Sequence, residues 1–188
     1  MATYPFPIRL DHMVEVCGSY SAPDTTFTLP YNPTAAGVNA IVLSSAFGAD
    51  AGTIITTGLS LGSTDVVVTG DYSAGRVMIG RTYDMELELT PPFLRLQDNN
   101  AMLRTDLRVQ RVVVRHQVAG DYEIVGARDD RTSQGTTFAA TAKTVDDDGE
   151  HKSQIRGLAE KTTVTLKATG PRPTTLVQAL YHYRPTLK

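Results

Sequence analysis

The sequence predicts an all-β fold, an antiparallel β-sandwich or barrel-like arrangement, built as one continuous β domain or as two small packed lobes over residues 1–80 and 81–188. Three observations predict it. Almost every periodic stretch has period two, the spacing at which side chains alternate across a strand. Short β-branched runs are closed by Gly, Pro, Asp or Ser at intervals of roughly ten residues, as in sandwiches and barrels. No stretch holds apolar residues at i, i+3, i+4 spacing for more than about two helical turns.

The elements follow in order. Over 8–16, Leu10, His12, Val14 and Val16 alternate with Asp11, Met13 and Glu15. "TTFTLPY" alternates and stops at Pro30, giving a strand over 25–30. "AIVLSS" (40–45), "TIITT" (53–57) and "DVVVTG" (65–70) are short β-branched runs with turn residues after them. "GDYSAG" (70–75) reads as a turn, and a strand over 76–90 follows. In its second half Met85, Leu87 and Leu89 share one face, and Glu86 and Glu88 share the other. Thr90-Pro91-Pro92 ends it, because proline cannot donate to a ladder. Phe93 and Leu94 are then expected to pack on a neighbouring element. "DLRVQRVVVRH" (106–116) is the longest strand signal. Strict alternation puts Leu107, Val109, Arg111, Val113 and Arg115 on one face, and Arg108, Gln110, Val112, Val114 and His116 on the other. A Gly120-Asp121 turn leads into a strand over 121–127, so a hairpin is expected. "TVDDDGEHKS" (144–153) reads as a polar loop, and strands over 161–168 and 175–183 flank the breaker "PRP".

Composition excludes several classes. The 188 residues carry a net charge of −2, which is no whole-chain signature of nucleic-acid binding. Residues 1–80 hold two arginines against six acidic residues, so the remainder is net positive. Aromatic residues make up 7% and Trp is absent, which counts against a sugar-stacking surface. Cys17 is the one cysteine, so neither an intrachain disulfide nor a cysteine-based zinc site is available, in keeping with a reducing compartment. No basic-apolar leader pattern and no apolar run of membrane-spanning length is present.

Candidate chemistry is sparse. "GLSLG" (58–62) fits the G-x-S-x-G nucleophile elbow, with Asp65 and His116 in suitable chain order behind Ser60. That elbow needs a strand turning into a helix, and here another strand signal follows, so a glycine-rich β-turn is expected and no catalytic serine. Asp146, Asp147, Asp148 and Glu150 could offer carboxylates to calcium, but Gly149 after three consecutive aspartates does not fit the ligand spacing of an EF-hand loop. A solvated acidic loop is expected instead. His12, His116, His151 and His182 show no metal-ligand spacing. No cofactor or metal is expected. Arg95, Arg104, Arg108, Arg111 and Arg115 form the densest basic stretch. They read either as a subunit or partner contact made through guanidinium forks, or as strand surface paired with acidic groups such as Glu86 and Glu88.

The segment "VMIGRTYDMELELTPPFLRLQDNNAML" followed by "RTDLRVQRVVVRH" resembles the C-terminal region of the tail nozzle proteins of short-tailed bacteriophages, also called tail tubular protein B. The pattern carrying the resemblance is Ile79-Gly80-Arg81-Thr82-Tyr83, then Thr90-Pro91-Pro92-Phe93, then the long strand from Asp106 to Val114. "LDHMVEVCGSYSAPDTTFTLPYNP" and "TTVTLKATGPRPTTLVQALYHYRP" look like the opening and closing segments of that region. Members of the family are usually several times longer, so the match is to a terminal region or to a short stand-alone version. The resemblance implies a structural tail component of the virion, assembled in the bacterial cytoplasm. It implies a hexameric ring below the portal that contacts tail adaptor and fibre proteins. Phage DNA would pass through the lumen without specific binding. It places Arg104, Arg108, Arg111 and Arg115 as candidates for a subunit interface, and Asp146, Asp147, Asp148 and Glu150 in a lumenal or outer acidic loop. The competing reading is a β-sandwich binding module, a receptor- or glycan-binding tail tip.

Overall fold

A computed structural model of the chain describes residues 2–92, 106–128, 131–140 and 144–186. Among these residues lie sixteen strands: β1 (Asp11–Cys17), β2 (Ser19–Ser21), β3 (Asp24–Thr28), β4 (Ala40–Leu43), β5 (Ile54–Ile55), β6 (Leu59–Leu61), β7 (Asp65–Thr69), β8 (Arg76–Arg81), β9 (Asp84–Leu89), β10 (Asp106–Ala119), β11 (Tyr122–Arg128), β12 (Arg131–Phe138), β13 (Gly149–Ser153), β14 (Gly157–Leu158), β15 (Thr162–Thr169) and β16 (Thr174–Thr186). Helix is confined to one turn, α1 (Pro33–Ala36), and two short 3₁₀ segments. The fold is all-β, and among the described residues no sheet closes into a barrel.

The chain divides into two compact units. The first holds Met1–Tyr83, Ala140–Val145 and Thr169–Pro173. It contains two four-stranded antiparallel sheets, ordered β1-β8-β4-β5 and β2-β3-β7-β6. Phe27, Val66 and Val68 from one sheet meet Ile41, Leu43, Val77 and Ile79 from the other, which makes this unit a sandwich. β4 is buried along its whole length, which explains why "AIVL" has no polar alternation. Its second face is covered by the N-terminal segment, where Phe6 packs on Val42 and Met78 with Tyr4, Ile8 and Leu10 around it.

A buried hydroxyl ties the β3–β7 pair to the turn after it. Thr25 is fully buried. Its Oγ1 donates to the Gly70 carbonyl at 2.5 Å and accepts from the Tyr72 amide at 2.9 Å. The turn thereby fills two backbone hydrogen-bonding sites that the ladder leaves open.

The second unit holds Asp84–Ala139, Asp146–Ala168 and Thr174–Lys188. It is also a sandwich. One sheet has β10 at its centre, with β16 along one edge and β13 and β14 along the other. The other sheet is ordered β12-β11-β15-β9. Leu107, Val109, Val112 and Val114 of β10 pack against Tyr122 and Ile124 of β11 and Val164 and Leu166 of β15, with Ile155 and Ala159 closing the cluster.

Four details depart from the sequence reading. The strand expected over 76–90 is two strands, β8 and β9, in different sheets. The break falls at Thr82, where the Asn39 side chain takes the Thr82 amide at 2.7 Å and donates to its hydroxyl at 2.9 Å. A side-chain amide there replaces the ladder partner. "GLSLG" is strand rather than turn, since Leu59–Leu61 pairs with β7. The polar loop over 144–153 ends in β13, which pairs with the C-terminal half of β10. Strict alternation also fails along β10. The register with β16 shifts between Val109 and Arg111, so Gln110 is an extra residue. The inward set therefore runs Leu107, Val109, then Val112, Val114, His116. Phe93 and Leu94 lie outside the described residues.

Replacing Thr25 with Val keeps the shape and removes both hydrogen bonds. Chemical denaturation should show a loss of about 1–3 kcal/mol, the cost of leaving buried polar groups unpaired. A Thr25→Ser variant, which keeps the hydroxyl, should lose less.

Candidate functional site

The bulge in β10 sets out its basic side chains. Arg108 stands opposite Leu158 of β14 on one side and Arg184 of β16 on the other. Past the extra residue, Arg111 faces His182, whose Nδ1 is 3.5 Å from an Arg111 Nη. Arg128, at the end of β11, donates from Nη1 to the Arg156 carbonyl at 2.5 Å. The loop carrying Arg156 lies close because residue 157 is glycine. A Cβ there would collide with the Thr162 hydroxyl and sit 3.2 Å from the Arg128 side chain. The result is an open groove of about 980 Å³ lined by Arg108, Arg111, Arg128, Arg156, His182 and Arg184 together with neutral residues.

Among the described residues no Asp or Glu lines this groove. Among the described residues, Arg108, Arg111, Arg156 and Arg184 make no ion pair. Like charges directly opposite on neighbouring strands destabilise a sheet, and Arg108 and Arg184 are such a pair.

Of the five arginines singled out in the sequence, the groove takes two. Arg115 is elsewhere, with its Nε donating to Glu150 Oε1 at 2.7 Å. That hydrogen bond holds the Glu150 carboxyl below the usual range, helped by Lys152, whose Nζ is 3.8 Å away. One residue expected at an interface and one expected in an acidic loop are thus partners on adjacent strands. Arg104 and Arg95 lie outside the described residues. Glu86 pairs with Lys167 of β15 at 3.2 Å and not with an arginine of β10.

The remaining acidic residues sit at the far end of β10. Asp146 is pinned to Ala119 by two backbone hydrogen bonds of 2.8 and 2.9 Å. Asp147 and Asp148 are exposed. Beside them lies a cluster that sequence spacing did not reveal, in which His116 and His151 meet Tyr122 and Phe138. The ring centroids of His116 and Phe138 are 4.6 Å apart, those of Tyr122 and Phe138 5.0 Å, and those of Tyr122 and His151 5.8 Å. His116 is 3% exposed, and its Nδ1 is 3.0 Å from the Tyr122 hydroxyl. Residue 149 must be glycine here, since a Cβ would fall 2.6 Å from His116 Nε2. Burial holds the His116 pKa below its ordinary value, against an opposing pull from Asp146. Burial also pushes the Tyr122 hydroxyl up to about 12.

Nothing in this arrangement builds a nucleophile. Ser60 is exposed on an edge strand, paired with Val67 of β7. No base reaches its hydroxyl among the described residues, and His116 belongs to the other unit. Among the described residues no group of three or more His, Cys, Asp or Glu side chains could hold a metal ion. None of the helices there is long and apolar enough to cross a membrane.

The family model of the bacteriophage nozzle protein matches residues 1–184. The chain belongs to that family. It is therefore a structural component of a phage tail, and the geometry above belongs to a nozzle-family sandwich. A search of curated proteins finds no match.

In this nozzle-family chain the His116 cluster makes stability depend on pH. His116 titrates near 6.5 when unfolded and lower when folded, so the unfolded chain binds the extra proton. Stability should be unaffected above about pH 7, fall as the pH drops through about 6.5, and level off below the folded pKa. One such proton contributes at most about 1.4 kcal/mol per pH unit. Denaturation midpoints measured from pH 7.5 to 5.5 should fall less steeply for His116→Gln than for the parent chain.

Proposed function

We propose that the chain forms a homo-hexameric ring around the DNA passage of the tail, with the arginine groove at the contact between subunits. One observation carries this reading: five guanidiniums converge on a groove where, among the described residues, the lining holds no carboxylate. A planar guanidinium binds a carboxylate through two parallel hydrogen bonds, which fixes orientation as well as affinity. A tail part must repeat about an axis and keep its shape while DNA passes, and the two disulfide-free sandwiches with their dense cores suit that demand.

Tail adaptor and fibre proteins are the neighbours this role requires. The protein acts by shape and contact, without catalysis. It is assembled in the host cytoplasm, which suits an exposed free thiol at Cys17. DNA passes without specific binding, because a lumen lined with bare arginines would hold the phosphate backbone. That requirement favours placing the groove within a protein contact and leaving neutral or acidic surface free to face the channel.

The test is a double charge reversal, Arg108→Glu with Arg111→Glu. The isolated chain should melt at the parent temperature or slightly above it, because the Arg108–Arg184 repulsion, worth about 0.2–1 kcal/mol, is removed. Assembly should lose about 2–5 kcal/mol at each desolvated contact. Electron micrographs should then show parent rings or tails and none built from the variant. Normal incorporation of the variant would remove these arginines from the interface.

A further inference from the structure

We infer that the arginine groove receives the Asp146–Asp148 segment of a second copy of this chain, so that copies join head to tail along the axis of β10. The inference rests on reading the groove as a subunit contact, and it names what fills it.

Both poles of this joint lie on one strand. Arg108 and Arg111 are near the start of β10, and Ala119, which holds Asp146, is its last residue. The eleven steps from Arg108 to Ala119 span roughly 36 Å at the rise of an antiparallel strand. β10 is paired on both edges over much of that length, so the separation is rigid.

The charges divide along it. At one pole stand Arg108, Arg111, Arg156 and Arg184 without ion pairs among the described residues. Glu160 and Lys161 adjoin this pole and offset each other. At the opposite pole Asp147 and Asp148 are exposed and without ion pairs among the described residues. Arg115 and Lys152, the nearest cations on β10 and β13, are already engaged by Glu150. Among the described residues, those four arginines and those two aspartates each lack what the other offers.

The sign of the charges selects the pairing. Groove against groove and aspartate against aspartate both repel, and groove against aspartates is complementary. Joined head to tail along β10, that contact is heterologous. A heterologous contact repeats into a closed ring or an open filament. DNA phosphates carry the same kind of charge as the aspartates, but a duplex would have to approach a chain of net charge −2 with an acidic pole on the same unit. A second copy carries only the same net charge of −2, a far smaller repulsion than the dense charge of a duplex.

The experiment uses two full-length variants, Arg111→Glu with Arg184→Glu, and Asp147→Lys with Asp148→Lys. Circular dichroism first confirms the β spectrum of both. Sedimentation velocity at about 0.05 M salt, where surface charges are weakly screened, then measures self-association. Each variant alone should associate at least about a hundredfold more weakly than the parent. An equimolar mixture should recover the parent species, because each reversed groove then meets a reversed segment. A chain carrying all four changes should also recover it. Raising salt to about 0.5 M should weaken parent and mixture alike.

Several results overturn the inference. One is a parent chain that stays monomeric at low salt. Another is association that survives both reversals, and a third is two variants that fail to rescue each other. A short DNA duplex whose binding is lost only on groove reversal, with assembly unaltered by aspartate reversal, would assign the groove to nucleic acid. If instead the parent assembles into tails while the variants do the same, the structural role in the tail stands and only this joint falls. Absence of the parent from tails strikes the structural role itself.

Discussion

The second unit depends on one extra residue in one strand. Without Gln110, strict alternation along β10 would carry Leu107 and Val109 inward and then continue with Arg111, Val113 and Arg115 on the same face. Two of those three are guanidiniums that would enter an apolar cluster, where an unpaired charge costs several kcal/mol. The bulge at Gln110 resets the phase. Val112, Val114 and His116 take over the inward positions, and the arginines stay in water. The same irregularity leaves Arg108 and Arg111 on opposite sides of an extra residue yet both on the groove. The inward phase of β10 from Val112 to His116 and the placing of Arg111 on the groove both follow from this insertion.

The core makes that groove affordable in physical terms. Fully burying an aliphatic or aromatic side chain stabilises a fold by about 1.5–3 kcal/mol, and β10 supplies four such residues to its cluster. Against this, a cross-strand pair of like charges costs about 0.2–1 kcal/mol. The repulsion of Arg108 and Arg184 is thus small beside what the core contributes. The first unit shows the opposite economy. Its β4 is apolar on both faces because the N-terminal segment returns to cover the second one, so no surface of that strand is left for charge.

Much of the fold was legible because a half-buried strand writes its faces into the sequence. β3, β4, β7, β11 and β15 fall where alternation or an unbroken apolar run places them. The misses have physical causes. β12 is an edge strand with a polar sequence, "RTSQGTTF", and carries little hydrophobic pattern for one-face burial to leave behind. β13 begins at a glycine demanded by His116, a residue thirty-three positions away. The break at Thr82 depends on Asn39, which no local window contains. The candidate site was half legible. A run of arginines at 104–115 marked the strand, but Arg128, Arg156 and Arg184 join Arg108 and Arg111 only through pairing of β10 with β14 and β16 and the approach of Gly157 to Arg128. The histidine cluster was invisible for the same reason, since His116 and His151 become neighbours only through β10–β13 register.

That split between legible core and hidden site follows from what each must do. A core needs only apolar surface in the right phase, and phase is a local property of the chain. A contact surface that repeats in an assembly needs charges brought together from several strands, because no single strand spans a subunit interface in two directions. Like-charge opposition across β10 and β16 has no use within the isolated unit, where it only subtracts from stability. On the proposed contact it acquires one, because a carboxylate from outside that enters between the guanidiniums turns repulsion into a fork of hydrogen bonds. Arg108 beside Arg184 would then store a small penalty that association releases. Under that proposal, folding of the single chain and joining of copies are governed by different residues, the inward set of β10 for one and the groove arginines for the other.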